Sequence, residues 1–281
     1  MALLGKRNLL PILREAPPGL FLDGGEQGEI LLPRRYIPAN AAPGVELDVF
    51  VYRDSEDRLV ATTETPNAMV GDFALMRVLS TRASLGAFLD WGLAKDLLLP
   101  RREQTGSLRE GELVVVRVYV DEKSDRIVAT ARLNRWLNKT PATYAPEQPV
   151  QLLISGETPL GYNAIVENAH SGLIYRSEIS TPLRIGDTLQ GYVRAVRPDG
   201  KIDLALDRAG YVRVKPLSDQ ILDALAKAGG RLPFHDKSTP EEIREAFGVS
   251  KKAFKQALGA LYRKRRIAMD PTEIRLLPVG R

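Results

Sequence analysis

The chain contains no cysteine and only two histidines, His170 and His235, far apart among its 281 residues. Disulfides, thiol nucleophiles and Cys- or multi-His zinc sites are thereby excluded. The same scarcity argues against Ser-His and Cys-His catalysis. No apolar run approaches the roughly 18 residues that a membrane span needs. The start, Met1-Ala2-Leu3-Leu4-Gly5-Lys6-Arg7, lacks a signal-peptide core with a small-residue cleavage site. These absences lead to the expectation of a soluble, cytoplasmic protein with no cofactor, no metal and no membrane partner. What is present is ordinary globular composition, 44% hydrophobic, 27% charged and 6% aromatic, which argues against disorder, collagen or a coiled coil. Length alone suggests about two domains at ~150 residues each, but an internal repeat overrides that prior.

Such a repeat exists. Gly19-Leu20-Phe21-Leu22-Asp23 is echoed by Gly86-Ala87-Phe88-Leu89-Asp90, and Leu31-Leu32-Pro33-Arg34-Arg35 by Leu98-Leu99-Pro100-Arg101-Arg102. Gly44 follows Gly19 by 25 residues, and Gly111 follows Gly86 by 25. A more diverged third copy keeps that spacing in Gly161 and Gly186, with Tyr175 standing where Pro33 and Pro100 stand. Each copy reads as β structure, because Leu47, Val49 and Val51 alternate with Asp48, Phe50 and Tyr52, and Leu113 to Val120 fills the same slot. Asp54-Ser55-Glu56-Asp57, Asp121 to Asp125 and Asp199-Gly200 have hairpin-turn chemistry. The acidic pair is read as turns rather than as a metal site for a nuclease, since neither has the ligand spacing and Gly of a calcium loop. Units of about five short strands with Gly at the corners close into small OB-type barrels. The expected fold is therefore mainly β, three tandem five-stranded OB-type barrels over 1–66, 67–140 and 141–210, with a C-terminal α+β module over 211–281.

In the third copy the order Gly172-Leu173-Ile174-Tyr175-Arg176-Ser177-Glu178, then Gly186-Asp187, then Asp199-Gly200-Lys201-Ile202 resembles the RNA-binding OB module named for ribosomal protein S-one. The run Phe88-Leu89-Asp90-Trp91-Gly92-Leu93-Ala94-Lys95-Asp96-Leu97, with Tyr52 to Thr63 before it and Glu103-Gln104 after it, resembles more narrowly the bacterial conserved virulence factor B family. The resemblance covers nearly the whole chain. It implies three such barrels followed by a winged helix, RNA binding, and an influence on gene expression without enzymatic activity.

After Arg208 the pattern turns helical. Ser218 is expected to cap a helix whose Ile221, Leu222 and Leu225 share one face and which stops at Gly229-Gly230. Thr239-Pro240-Glu241-Glu242 reads as a capping box opening a second helix, which ends at Phe247-Gly248-Val249. Ser250 starts a third, with Phe254, Ala257, Leu258 and Leu261 inward. Helix, a short turn with Gly, helix is the helix-turn-helix pattern. Ile267-Ala268-Met269 and Ile274-Arg275-Leu276 supply a two-stranded wing about Asp270-Pro271-Thr272.

Residues 211–281 hold 15 Lys and Arg against 8 Asp and Glu, whereas residues 1–210 hold 25 against 27. A local basic surface attracts phosphates and releases counterions, which makes an anionic polymer the natural partner. Lys251, Lys252, Lys255 and Gln256 on the third helix, with Arg263, Lys264 and Arg266 from the basic run at its end, are the expected contacts. The alternative reading is a solvated face whose last cations complement the helix dipole.

OB-type barrels hold single strands by stacking bases on aromatics and tracking the backbone with cations. Of the three, only residues 67–140 are locally positive, 12 basic against 9 acidic. Phe88, Trp91, Lys95, Arg101 and Arg102 interleave rings and cations there, so the second barrel is the first choice for the ligand. Phe21 matches Phe88, and Tyr162 sits one place earlier in the third copy. By the resemblance, Phe21 and Phe88 take the position of an RNA-contacting Phe, and Tyr175 that of a second stacking residue, beside Arg176. The competing reading makes Phe21 and Phe88 barrel core and Trp91 a plug at a barrel end.

The leading expectation is a non-catalytic RNA-binding regulator of gene expression, with single-stranded RNA on the barrels and the basic winged helix adding to binding. The alternatives are a transcription factor that binds duplex DNA through the third helix, and a scaffold for the ribosome or RNA polymerase. A ribonuclease lacks a nameable set of base, nucleophile and electrophile.

Overall fold

Three times along the chain a glycine opens the second strand of a five-stranded unit, and the backbone shows why. A Cβ on Gly19, Gly86 or Gly161 would lie 2.0, 2.2 and 2.0 Å from a carbonyl oxygen of the facing strand, at Leu32, Leu99 and Ile174, and each has a positive φ between 141° and 154°. Only glycine permits so close an approach. In each unit the first strand also carries a bulge, at Ile12/Arg14, Val78/Ser80 and Ile154/Gly156. An extra residue bends the strand and increases its twist, which is what closing so small a barrel demands.

The computed structural model describes residues 1–176, 179, 182–207 and 211–277. Ser177 and Glu178 and the expected boundary at 210/211 fall outside those residues. The chain divides into two compact units, Met1–Trp136 and Leu137–Arg281.

In the first unit β1 (Arg7–Ala16), β2 (Gly19–Asp23), β3 (Glu29–Pro33), β4 (Glu46–Arg53) and β5 (Leu59–Thr62) form a closed barrel in the order β1-β2-β3-β5-β4. β6 (Phe73–Arg82), β7 (Gly86–Leu89), β8 (Leu97–Pro100), β9 (Leu113–Asp121) and β10 (Arg126–Thr130) repeat the plan in the order β10-β9-β6-β7-β8. There β8 lies alongside β10 without completing the ladder, so this second barrel is nearly closed. The acidic segments are hairpin turns, with Asp57 and Asp125 at φ 62° and 54°.

Period two explains the packing of this pair. On β4 Val49 and Val51 face the core of barrel 1, while Phe50 and Tyr52 on the opposite face are equally buried and belong to the core of barrel 2. A strand apolar on both faces requires cover on both. Trp91 provides it. Its ring meets Phe50 at 5.5 Å and Tyr52 at 6.4 Å, both edge-on, and its indole N–H donates to Ala68 O at 2.7 Å. At 150–250 Å² per aromatic side chain, burial contributes about 4–6 kcal/mol for each ring as an upper bound.

The second unit begins with a third barrel: β11 (Pro149–Thr158), β12 (Gly161–Val166), β13 (His170–Tyr175), β14 (Thr188–Val196) and β15 (Ile202–Ala205), closed in the order β11-β12-β13-β15-β14. Three helices follow, α1 (Tyr211–Lys227), α2 (Pro240–Phe247) and α3 (Lys251–Arg263), with β16 (Arg231–Leu232), β17 (Ile267–Met269) and β18 (Ile274–Leu276) forming a sheet in the order β16-β18-β17. The capping box is made: Thr239 Oγ1 accepts from the Glu242 amide at 3.3 Å and the Glu242 carboxylate from the Thr239 amide at 2.8 Å. Ser250 Oγ caps α3 by accepting from the Ala253 amide at 3.3 Å. The first helix departs from the sequence reading. It opens at Tyr211, so Ser218 is not its cap but lies inside it, buried.

Candidate nucleic-acid interface

Counting from the repeat glycine decides which side chains the barrels present. Two residues after Gly19 and Gly86 stand Phe21 and Phe88, both half-buried. An arginine covers each ring: the Arg14 guanidinium lies 4.0 Å from the centre of Phe21, and that of Arg82 lies 5.3 Å from Phe88. In the third barrel the same count reaches Asn163, which is exposed. Tyr162 is one residue early, and in a strand one residue turns a side chain to the other face. It is accordingly only 3% exposed and part of the barrel core, with Arg176 over its ring at 5.5 Å. As a stacking surface Tyr162 is therefore corrected to a core residue.

Trp91 and Lys95 are corrected in the same way. The indole is 3% exposed between the two barrels. The Lys95 ammonium donates to Arg53 O at 2.9 Å and Asp54 O at 2.8 Å, sealing the β4–β5 turn against barrel 2. Burial there pushes its pKa below the usual lysine value. Around it the two acidic turns grip one another: Arg53 pairs with Asp125, and Arg126 with Asp57, its Nε donating at 2.9 Å. The sequence signal was present in Phe50 and Tyr52, two rings on what should have been the polar face of β4.

The remaining barrel candidates are at the surface. Arg101 is exposed and donates to Ala83 O at 3.1 Å; Arg102 is exposed and pairs with Asp121 at 3.3 Å. Arg176 pairs with Glu157 at 2.8 Å. Tyr175 is half-buried on a groove of about 900 Å³ with Asn163, Lys139, His170, Arg197 and Lys201. Its hydroxyl donates to Asp203 at 3.3 Å and accepts from Arg197, which in turn pairs with Asp203 at 2.8 Å. One wall of this groove comes from the segment before the barrel, a contribution no periodic pattern announced. Asn138 accepts from the Ser171 amide at 3.0 Å. His170, buried, donates from Nε2 to Thr140 O at 2.9 Å and accepts at Nδ1 from the Tyr144 hydroxyl at 2.8 Å. Thr140 O can only accept, which fixes the tautomer.

On α3, Ala253, Phe254, Ala257, Leu258 and Leu261 face the core, leaving Lys252, Lys255 and Gln256 exposed. Lys251 is half-buried and donates to Lys237 O at 3.4 Å. Arg263, Lys264 and Arg265 are exposed, and Arg266 is half-buried. The wing differs: Arg275 pairs with Asp270 and, at 2.9 Å, with Glu273, so its own carboxylates occupy its arginine. Among the described residues no cluster of three or more His, Asp or Glu has the geometry to hold a metal ion, and no helix is long and apolar enough to cross a membrane.

Comparison with known proteins agrees with this architecture. The S1 domain model matches residues 4–64 and 74–132, the first two barrels, and the CvfB-like winged helix domain model matches 219–276. Conserved virulence factor B of Staphylococcus aureus is 25% identical over 84% of this chain and 81% of its own. The chain is thus similar to conserved virulence factor B over most of its length and carries S1 and CvfB-like winged helix domains. Another relative, the uncharacterized protein YitL of Bacillus subtilis, is 28% identical over 95% of this chain and 91% of its own. A solved multidomain protein with nucleic acid binding domains from Streptococcus pneumoniae is 25% identical, covering 98% of both chains with a TM-score of 0.42. S1 and winged helix domains are nucleic-acid-binding modules, and the two model matches give this chain both.

Proposed function

We propose that the protein is a non-catalytic regulator that binds single-stranded RNA on its barrels, with the basic face of α3 adding to the affinity. The observation that carries this reading is the repeated placement, two residues past the glycine of β2 and β7, of a half-exposed phenylalanine beside a guanidinium. A ring with an adjacent cation suits an unpaired base and its phosphate, whereas a duplex hides its base faces. The winged helix supports the polymer rather than the duplex. Its helix offers Lys255, Gln256 and the run Arg263 to Arg265, but its wing tip carries Asp270 and Glu273, and carboxylates repel a phosphate backbone.

The test is a salt titration of full-length protein with a 12-nucleotide uridine RNA and a duplex DNA of matched length. Preference for the RNA is expected, with Phe88→Ala and Phe21→Ala each weakening it by about 1–3 kcal/mol. Lys255→Glu with Arg265→Glu should flatten the salt slope. Preference for duplex DNA, lost in the α3 variant and untouched by the phenylalanine variants, would replace this reading with a transcription factor.

A further inference from the structure

Barrel 2 differs from its two counterparts in what surrounds the arginine over its aromatic ring. Arg14 above Phe21 is held by Glu29, its Nε donating at 3.1 Å, and Arg176 above Tyr162 by Glu157 at 2.8 Å. Arg82 above Phe88 has no carboxylate partner among the described residues. Asp96 follows Gly86 by the same ten residues that separate Glu29 from Gly19, yet it makes no ion pair with Arg82. Beside Arg82, between the β6–β7 turn and the segment following β8, lies a cavity of about 500 Å³, within the range of small-ligand sites.

The lining of this cavity has one sign. It contains Arg82 and Arg101 but no carboxylate, together with Gln104, Thr105, Gly106 and Ser107. Glu103, between Arg102 and the lining residue Gln104, is buried and accepts from the Thr130 hydroxyl at 2.7 Å. Arg101 is seated by its bond to Ala83 O at 3.1 Å, which uses one of its five N–H donors and leaves the fork oriented. The amides of Gly106 and Ser107 have no partner among the described residues, and a Cβ on Gly106 would meet nothing within 4 Å. Guanidinium forks, hydroxyls and unpaired amides around an open space are the donor set of a phosphate group.

We propose that this cavity binds one backbone phosphate of the single strand, between Arg82 and Arg101, next to the base that lies on Phe88. The inference rests on the RNA reading above and assigns its anchoring phosphate to barrel 2. Neither the Phe21 site nor Tyr162 offers an equivalent, because there the stacked arginine is already neutralised.

Two measurements on the full chain test it. Inorganic phosphate, titrated at constant ionic strength, is expected to shift the amide resonances of Gly106 and Ser107 and the Nε–H resonances of Arg82 and Arg101, and Arg101→Gln should abolish those shifts. In the salt titration with the 12-nucleotide uridine RNA, Arg82→Gln and Arg101→Gln should each lower the slope of log K against log salt by about 0.7, one phosphate contact on a single strand. Arg101→Lys should restore the slope, and Arg58→Gln, at an exposed arginine paired with Asp54 and Glu56 away from the proposed contacts, should leave it unchanged. Cavity resonances that stay still under phosphate, or an Arg101→Gln slope equal to wild type, would overturn the proposal. Cavity shifts with phosphate but no RNA binding by wild type would sink the RNA reading instead, and with it the assignment to a nucleic-acid phosphate.

Discussion

Six and eight residues after the glycine that precedes their fourth strand, barrel 1 carries Phe50 and Tyr52 and barrel 3 carries Tyr192 and Arg194. Both pairs point out of their barrels. The first pair is buried under Trp91, and the second is half-buried. A pair of apolar rings cannot be left in water, so barrel 1 acquires a fixed neighbour; a phenol and a guanidinium carry hydrogen-bonding ends and do not require an apolar cover. Barrel 2 lies between these cases, with Arg117 and Tyr119 packed against Trp136. The same scaffold thus differs in what it buries outside its own core through two side chains on one strand face.

The sharpest way to break this difference is Trp91→Ala. Loss of a buried indole should cost about 3–5 kcal/mol, read as a lower calorimetric Tm of the first unit with that of the second unchanged. The same variant should change a titration. Burial holds the Tyr52 hydroxyl up at about 12, above the roughly 10 of an unfolded tyrosine. Tyr52 therefore contributes stability that is full below pH ~10 and is lost as pH rises through its folded value. Phenolate absorbance should show Tyr52 ionising apart from the exposed tyrosines in the wild type and moving toward them in Trp91→Ala.

A smaller effect is expected in the second unit. Tyr144→Phe removes the hydroxyl that His170 accepts from, at about 1 kcal/mol, and should expose residues 138–144 to limited proteolysis while leaving the first unit resistant. Smallest is Arg126→Ala, which deletes a solvent-exposed pair with Asp57. Its Tm should fall by less than that of Tyr144→Phe, and the difference should vanish in high salt.

Much of this was legible beforehand, and particular residues show where legibility stopped. Gly19, Gly86 and Gly161 announced the strand starts because no other residue fits them, and Thr239 to Glu242 announced α2 because its donors and acceptors are local. Tyr162 was misplaced by a single step of register, and counting from Gly161 would have given Asn163. Trp91 and Lys95 failed for a different reason: strand period tells which face a side chain takes, but a neighbouring barrel is not encoded in that period. The early start of α1 was hidden by Pro216, which reads as a helix boundary, and the groove wall at Asn138 to Thr140 by a segment with no periodicity.

Both tryptophans, Trp91 and Trp136, belong to the first unit, and the three α-helices of the described residues belong to the second. Intrinsic fluorescence therefore follows one half of the molecule, and the helical circular dichroism signal the other, without any label. Unfolding curves recorded by the two signals will coincide only where the halves melt together. A ligand that quenches emission must have perturbed the paired barrels.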